Sequence, residues 1–302
     1  MTAAHAVYGR PPRELAEPAR GAVQLSPLIP GSQAIEDVEA GSLESLVILA
    51  PPGSIERRYV LAQGLRAIRP DGSLTVLAPK DKGGSRLAKE LTALGATLEE
   101  TARRHHRICV ARREALPALD EALQAGAPRF SRALGLWTQP GVFSWDRLDA
   151  GTGLLLAHLP PLAGRGADLG AGLGVLSRAV LAQGAVTRLT LVETDRRALD
   201  CARRNIDDAR ADFLWADVRQ TDLAAGELDF VVMNPPFHDG GAEERALGQA
   251  FIETAAGLLK PAGRLLMVAN RQLPYEAVLK RSFSATHLLS EAQGFKVFEA
   301  RA

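Results

Sequence analysis

Cysteine is almost absent from this 302-residue sequence, which contains only Cys109 and Cys201. Two isolated thiols cannot supply a disulfide framework or a cysteine-based zinc cluster, and the six histidines show no metal-ligand spacing. Long apolar runs are missing as well: no uncharged stretch reaches the roughly 18 residues that a bilayer span needs, and the N-terminus has no basic-then-apolar signal pattern. We therefore expect a cytoplasmic protein that works without a metal ion and without a membrane.

Hydrophobic residues make up 46% of the chain, and its length allows two domains with a core each. Residues 1–42 are rich in proline, alanine and glycine and show no sustained period, so they predict an irregular lead-in. From residue 43 onward, short apolar runs alternate with helical patterns: a buried strand at 46–49, a helix at 54–68 and a strand at 72–77. This alternation predicts an α/β fold with a mostly parallel sheet.

The most informative motif is Asn234-Pro235-Pro236-Phe237, which follows the apolar run at 228–233. Proline has no N–H group and a restricted φ, so the two prolines end the strand and force a turn. The side-chain carbonyl of Asn234 and the backbone carbonyl of Pro235 are then free to accept hydrogen bonds from a flat amino group, and Phe237 offers a ring for a base to stack on. The motif indicates chemistry on a planar nitrogen, although an Asn-Pro pair can also be a plain turn.

A second motif lies upstream, where a predicted strand at 165–169 runs into Gly170-Ala171-Gly172-Leu173-Gly174 and then into a predicted helix. A strand, a glycine loop and a helix together form a nucleotide-type cradle. Val175 stands where a dinucleotide fingerprint has its third glycine, which disfavours binding of NAD.

Acidic residues end the next two predicted strands. Glu193 lies 23 residues after Gly170, about the distance at which an acid binds ribose hydroxyls, with Asp195 as the alternative. Asp217 ends the following strand, where its carboxylate could accept from an adenine amino group or simply lie solvated in a loop.

These motifs resemble the catalytic domain of class I S-adenosylmethionine-dependent methyltransferases over residues 139–302, and most of all the RsmC/RlmG group of ribosomal RNA guanine-N2 methyltransferases. The segments that carry the resemblance are Pro140-Gly141-Val142-Phe143-Ser144 with Leu148-Asp149, Asp168-Leu169-Gly170-Ala171-Gly172, residues 234–240, Val268-Ala269-Asn270 with Leu273-Pro274-Tyr275, and Phe295-Lys296-Val297. The resemblance implies a catalytic domain at 131–302, S-adenosylmethionine as cofactor and a guanine 2-amino group of ribosomal RNA, in the small subunit by preference, as substrate.

The motifs and the resemblance together assign the candidate site. The catalytic candidates are Asn234, Pro235, Pro236 and Phe237. The cofactor-binding candidates are Phe143, Asp149, Asp168, Gly170, Gly172, Gly174, Glu193, Asp217 and Asn234, and the substrate candidates in this domain are His238 and Tyr275. Because the proton can leave after methyl transfer, positioning is expected to do most of the work and no strong general base is required.

The first half of the chain repeats the second. Residues 46–52 parallel 230–236, residues 69–74 parallel 260–265, and residues 106–112 parallel 295–301, at offsets of 184, 191 and 189. Ala50 stands in the place of Asn234, and no glycine cradle precedes it. The sequence therefore predicts two Rossmann-like methyltransferase domains, each with a mostly parallel seven-stranded sheet, of which the copy at 43–130 is degenerate; the resembled group has the same layout.

Arg103, Arg104 and Arg107 begin a run of five arginines within eleven residues that contain no acid. RNA phosphates would favour such a cluster, although ordinary surface arginines would give the same pattern. The N-terminal copy could instead serve only to support the folding of the catalytic half.

The alternative functions that the sequence leaves open belong to different classes of protein. A DNA adenine-N6 or a protein glutamine N-methyltransferase would use the same Asn-Pro-Pro-Phe geometry. A dinucleotide oxidoreductase would keep the cradle but has no use for Asn234. A non-enzymatic RNA-binding assembly factor would require the C-terminal motif to be decayed, whereas every expected element of it is intact. If the substrate is a guanine 2-amino group, we expect a monomer that acts on ribosomal RNA or on a ribosomal subunit assembly intermediate. A guanine within a duplex must first be unstacked, so its target is expected to lie in a loop or in a partly assembled particle.

Overall fold

The computed structural model describes residues 4–113, 119–236 and 242–302, and for residues 242–245 it describes the backbone only. The chain divides into two compact units: Met1–Pro128 with Gln139–Gly141, and Arg129–Thr138 with Val142–Ala302. The first change from one unit to the other falls between Pro128 and Arg129, and the domain boundary at residue 130 stays a prediction. Within the described ranges, none of the helices is both long enough and apolar enough to cross a bilayer.

The N-terminal unit is a six-stranded sheet with helices packed on it, and its strands follow the order β2-β1-β3-β4-β6-β5. Strands β1 to β4 run parallel, and β5 and β6 pair antiparallel at one edge. The elements are β1 (His5–Tyr8), β2 (Val23–Gln24), β3 (Leu43–Leu49), α1 (Ser54–Ala67), β4 (Ile68–Pro79), α2 (Leu87–Ala93), β5 (Ala96–Arg103), β6 (His106–Arg113) and α3 (Asp120–Gly126).

The prediction of an irregular lead-in at 1–42 is wrong at two places. Strand β1 pairs in parallel with β3, with Ala6 beside Leu46, and β2 extends the sheet beyond β1. These strands have four and two residues. A strand that short shows too few alternations to produce a recognisable period in the sequence.

The C-terminal unit contains a seven-stranded sheet in the order β11-β10-β9-β12-β13-β15-β14 and a small hairpin of β7 and β8. Its elements are β7 (Arg129–Ser131), β8 (Leu136–Thr138), α4 (Ala150–Ala157), β9 (Gly164–Leu169), α5 (Val175–Leu181), β10 (Val186–Glu193), α6 (Arg196–Asn205), β11 (Ala211–Trp215), β12 (Leu228–Met233), α7 (Ala242–Leu258), β13 (Leu259–Asn270), α8 (Glu276–Ser282), β14 (Ala285–Ala292) and β15 (Phe295–Arg301). The described residues also include short 3-10 segments at Ile35–Asp37, Gly84–Arg86 and Val218–Gln220.

The two sheets have the same strand order and the same strand directions once β11 is left out. Strand β1 thus occupies the position of β9, β2 that of β10, and β3 that of β12. The expected pair of α/β domains is confirmed, and the N-terminal sheet has six strands in place of the expected seven.

The central strands of the C-terminal sheet place the candidate motifs at one edge. Residues 230–233 of β12 are fully covered on both faces, which explains why the sequence there is a continuous apolar run and not an alternation. Strand β12 lies beside β9, with Met233 opposite Leu169, so both strands end at the same level. Asn234 and the glycine loop therefore both follow the carboxyl ends of adjacent parallel strands, where α/β sheets bind their ligands.

Candidate functional site

The side-chain amide of Asn234 is fixed by two acceptors from the start of α4. Its Nδ2 donates to Asp149 Oδ2 at 2.9 Å and to Thr152 Oγ1 at 2.8 Å. An ionised carboxylate can only accept, so this contact determines which end of the amide is nitrogen. The opposite atom, Oδ1, is buried and has no hydrogen-bond partner among the described residues. A buried carbonyl oxygen without a donor is unusual and is available to a ligand N–H group.

Asp149 holds this arrangement because it also caps α4. Its Oδ2 accepts from the backbone N–H of Thr152 at 2.7 Å, and it occupies the N-cap position with an extended backbone. A side-chain acceptor at this position satisfies one of the free N–H groups of a helix start. Asp149, predicted as a cofactor contact, thus contacts Asn234 directly, and Thr152 is a site residue that the sequence reasoning missed.

The glycine loop after β9 follows the predicted cradle geometry. Gly170, Gly172 and Gly174 have φ values of 75°, 55° and 80°, a left-handed region that favours glycine. A Cβ on Gly172 would meet no atom of the described residues within 4 Å, so these residues leave open space above Gly172.

Glu193, at the end of β10, ties this loop to the neighbouring strand. Its Oε2 accepts from Gly172 N–H and its Oε1 accepts from Asp195 N–H, both at 2.8 Å. Burial raises the pKa of Glu193, while the N–H groups of Asp195 and Gly172 oppose that rise. Each carboxylate oxygen keeps a second lone pair, so the two contacts leave capacity for ribose hydroxyls.

Asp168, the penultimate residue of β9, is completely buried. Its Oδ2 accepts from Ser177 Oγ at 2.6 Å, whereas Oδ1 has no partner among the described residues. Burial raises its pKa to about 7, against the hydrogen bond from Ser177, and the nearby charge of Glu193 adds to the rise. The loop is therefore backed by one completely buried acid, Asp168, and one half-buried acid, Glu193.

A cavity of about 500 Å³ lies within the C-terminal unit, between the glycine loop, Asn234 and the start of α4. Five predicted site residues line it: Phe143, Asp149, Gly170, Gly172 and Asn234. Thr152 and Ser144 also line it, and Ser144 has a positive φ of 54°, which is uncommon for a residue with a side chain. An amide, a carboxylate and a glycine loop thus face one space with mostly apolar walls.

Other predicted cofactor residues lie outside this lining. Asp168 and Glu193 support the loop as described above, and Gly174 is the N-cap of α5, where a Cβ would lie 2.8 Å from the Ile206 side chain. Asp217 caps the 3-10 segment after β11 and accepts from Arg219 Nε at 2.9 Å. A contact of Asp217 with adenine stays a prediction.

The prediction that Tyr275 contacts the substrate is wrong for this structure. Its side chain is completely buried in the core formed with β12, β13 and α7, and a Cβ on Gly248 would lie 1.8 Å from its hydroxyl. The sequence placed it correctly after the β13 edge but could not show that the ring points inward.

The rest of the diproline motif is described only in part. Pro235 is buried and Pro236 is half-buried directly after Asn234, whereas Phe237 and His238 lie outside the described residues.

The three arginines predicted to contact RNA lie at the β5–β6 hairpin of the N-terminal unit. Arg103 is exposed beside the turn between these two strands. The other two predicted RNA contacts are partly neutralised, because Arg104 pairs with Glu14 at 3.0 Å and Arg107 with Glu100 at 3.6 Å.

Comparison with known proteins gives matches over the site and over the whole chain. A family model described as the methyltransferase small domain matches residues 133–299. The ribosomal RNA small subunit methyltransferase C of Pseudomonas aeruginosa (strain LESB58) is 33% identical over 285 residues, covering 92% of this chain and 85% of the relative. The protein of the same name from Klebsiella pneumoniae is 31% identical over 285 residues, covering 91% and 80%.

A solved structure extends this likeness to both units. The T. thermophilus 16S rRNA N2 G1207 methyltransferase (RsmC), in complex with AdoMet and guanosine, matches with a TM-score of 0.79 and 27% identity. The match covers 98% of this chain and 87% of that chain.

Proposed function

This chain belongs to the family of ribosomal RNA small subunit methyltransferase C, S-adenosylmethionine-dependent enzymes that contain a methyltransferase small domain, and we propose that it methylates the exocyclic 2-amino group of a guanine in small-subunit ribosomal RNA. The observation that carries this proposal is the buried Oδ1 of Asn234, which has no hydrogen-bond partner in the described part of the chain. The amide nitrogen of the same side chain is held at 2.9 Å by Asp149 and at 2.8 Å by Thr152.

The guanine 2-amino group is a poor nucleophile because its lone pair is conjugated with the ring. Asn234 Oδ1 accepts one of its N–H groups and the backbone carbonyl of Pro235 accepts the other. Two acceptors draw the nitrogen toward tetrahedral geometry and direct its lone pair away from the ring. Since Asp149 and Thr152 hold the amide before the substrate arrives, the acceptor does not have to reorganise during the reaction.

The residues present fit S-adenosylmethionine, which supplies an electrophilic methyl group on a sulfonium ion. The glycine loop leaves open space above Gly172, and Glu193 keeps lone pairs for ribose hydroxyls beside it. Asp168 lies buried behind the loop and outside the cavity lining, and its Oδ1 has no donor among the described residues. We assign Gly170, Gly172 and Glu193 to cofactor contact on these grounds, and Asp168 to support of the loop.

Adenine N6 and a glutamine side chain also present a planar NH2 group, so the Asn234 geometry alone would serve a DNA or protein methyltransferase equally well. Likeness over both units to ribosomal RNA methyltransferases favours guanine in ribosomal RNA. The complete set of acceptor, cradle and cavity favours an enzyme over a non-enzymatic assembly factor.

Several finer features belong to the same proposal. Phe237 stacks on the displaced base, as its place after the two prolines predicts, and stacking of this kind contributes about 1–3 kcal/mol. The enzyme acts as a monomer in the cytoplasm, on ribosomal RNA or on an assembly intermediate in which the guanine is unpaired.

The direct test is transfer in vitro from radiolabelled S-adenosylmethionine. Unmethylated small-subunit ribosomal RNA, assembly intermediates and mature subunits are incubated with the enzyme, and the nucleosides are separated by mass. We expect N2-methylguanosine in ribosomal RNA; label only in N6-methyladenosine of DNA, or in protein, would contradict the proposal.

A further inference from the structure

The N-terminal sheet retains the edge that corresponds to the cofactor edge of the C-terminal sheet. Strands β1 and β2 occupy the positions of β9 and β10, and the residue after β1 is Gly9, with a φ of 82°. Gln24, at the end of β2, accepts from Gly9 N–H at 3.1 Å and donates to the Gly9 carbonyl at 2.9 Å. Gln24 thus ties the loop after β1 as Glu193 ties the loop after β9.

The chemistry at this edge differs from that of the C-terminal unit. A neutral amide stands at Gln24, where the corresponding position of the other sheet holds the carboxylate of Glu193. The helix that follows the glycine loop in the C-terminal unit is replaced by an irregular connection over residues 9–22. A negative charge that would repel an anion is therefore absent at this position.

This connection surrounds a cavity of about 530 Å³ in the N-terminal unit. Three arginines, Arg10, Arg13 and Arg20, and one acid, Glu17, line it. All three arginines are exposed, and none of them forms an ion pair or a hydrogen bond with the part of the chain that the structure describes. Arg104, by contrast, is bound by Glu14 of the same connection.

We propose that this arginine cavity, defined by Arg10, Arg13 and Arg20, binds backbone phosphates of the RNA substrate. The proposal rests on the ribosomal RNA function inferred above. Guanidinium groups bind phosphate oxygens in a bidentate manner, and three of them outweigh the single charge of Glu17. The edge of the N-terminal sheet that corresponds to the cofactor edge of the C-terminal sheet thus serves as an anion site, which gives the N-terminal unit a role in substrate binding.

The test compares two triple variants of the full chain with the same change in charge. Arg10→Gln/Arg13→Gln/Arg20→Gln removes the cavity arginines, and Arg58→Gln/Arg86→Gln/Lys89→Gln removes three exposed cations elsewhere in the same unit. Affinity for unmethylated small-subunit ribosomal RNA is measured by filter binding from about 50 to 300 mM salt, where phosphate contacts dominate the dependence. Circular dichroism and S-adenosylmethionine binding are recorded for both variants.

We expect the cavity variant to bind RNA about tenfold or more weakly at about 100 mM salt, with a log–log salt slope that is shallower by about two, since each lost phosphate contact contributes about 0.7. The control variant keeps most of the wild-type slope, and both variants bind the cofactor as the wild type does. Equal affinities and slopes for the two variants would overturn the arginine cavity as an RNA site. So would a cavity variant that keeps RNA affinity but loses binding of inorganic pyrophosphate, because the site would then take a small phosphate ligand.

The same samples separate this inference from the function on which it rests. Methyl transfer by the wild-type enzyme to the same RNA tests the function, whereas the difference between the two variants tests the cavity. A wild-type enzyme that methylates guanine while both variants retain its KM for RNA would contradict only the cavity.

Discussion

The carboxylate of Asp149 and the side-chain amide of Asn234 lie 2.9 Å apart, although 85 residues separate them in sequence. This hydrogen bond links the start of α4 to the end of β12 and decides the orientation of the amide. Because the carboxylate accepts from the nitrogen, the carbonyl oxygen of Asn234 is left as the free acceptor. The activities of variants at Thr152, Asn234 and Asp149 are expected to depend on that orientation.

Thr152 is expected to position Asn234 without contacting the substrate. Thr152→Val keeps the shape of the side chain but removes the acceptor at 2.8 Å from Asn234 Nδ2. We expect kcat to fall about tenfold, the cost of one lost hydrogen bond to a preorganised group, while cofactor affinity changes little.

Thr152→Ser restores the hydroxyl and serves as the matched control, which should recover most of the lost kcat. A purely structural role for Thr152 would appear as lowered thermal stability of the Val variant, with an unchanged rate per folded molecule.

Asn234→Asp tests the orientation through pH. The new carboxylate faces that of Asp149 at hydrogen-bond distance, so one of the two groups must hold a proton for the pair to persist. We expect the residual activity of this variant to fall as the pH rises, relative to the wild type measured in the same buffers.

Asp149→Asn combined with Asn234→Asp restores a donor between the two side chains and exchanges their roles. This double variant should be more active at neutral pH than either single variant, which a double-mutant cycle measures directly. Additive losses from the two changes would show that the contact does not orient the acceptor.

The motifs at the strand ends could be predicted from the sequence, whereas contacts between distant residues could not. Asn234, the glycine loop and Glu193 lie at the ends of β12, β9 and β10 as predicted, because strand ends and turn residues have local signatures. Their roles in binding and catalysis stay predictions. Thr152 has no such signature: it lies within an ordinary helix start, and only the packing of α4 against the end of β12 brings it to the amide. For the same reason the inward orientation of Tyr275 could not be deduced from its place in the chain.

Cofactor binding is expected at one site per chain. Glu193→Gln keeps the shape but leaves a single carbonyl for the two N–H groups that Glu193 now binds, at Gly172 and Asp195. Isothermal titration should show one S-adenosylmethionine site in the wild type and an affinity lower by about 1–3 kcal/mol in the variant. Two equivalent sites, or preferential binding of NAD, would contradict the assignment.

The buried carboxyl of Asp168 predicts a pH-dependent stability. Its folded pKa, about 7, lies above the ordinary value of 3.8, so the folded state holds a proton that the unfolded state has lost between these values. Stability from this residue is complete below about pH 4 and declines as the pH rises toward 7, by at most about 1.4 kcal/mol per pH unit.

Urea unfolding at about pH 5 and pH 7 checks this effect by comparison of the wild type with Asp168→Asn. The asparagine variant retains an acceptor for Ser177 but cannot titrate, so its free energy of unfolding should fall less between the two pH values. Identical changes in the two proteins would show that Asp168 is ionised in the folded protein at both pH values.

The two-domain architecture was predictable because segments in the two halves of the chain share the same sequence pattern. Residues 46–52 and 230–236 share an apolar strand and a diproline, and the structure places both in the same position of matching sheets. Strands β1 and β2 could not be predicted, since their few residues gain stability from pairing with β3 and not from any periodicity of their own. The arginine cavity depends on those strands and was missed with them.

The rate of N2-methylguanosine formation by Asn234→Ala under single-turnover conditions, at saturating S-adenosylmethionine and RNA, tests the central claim most directly. Loss of one preorganised acceptor predicts a rate at least about a hundredfold below that of the wild type, with cofactor affinity and folding nearly unchanged. A variant that methylates guanine N2 at the wild-type rate would contradict the account, because the amide that Asp149 and Thr152 hold would then have no part in the reaction.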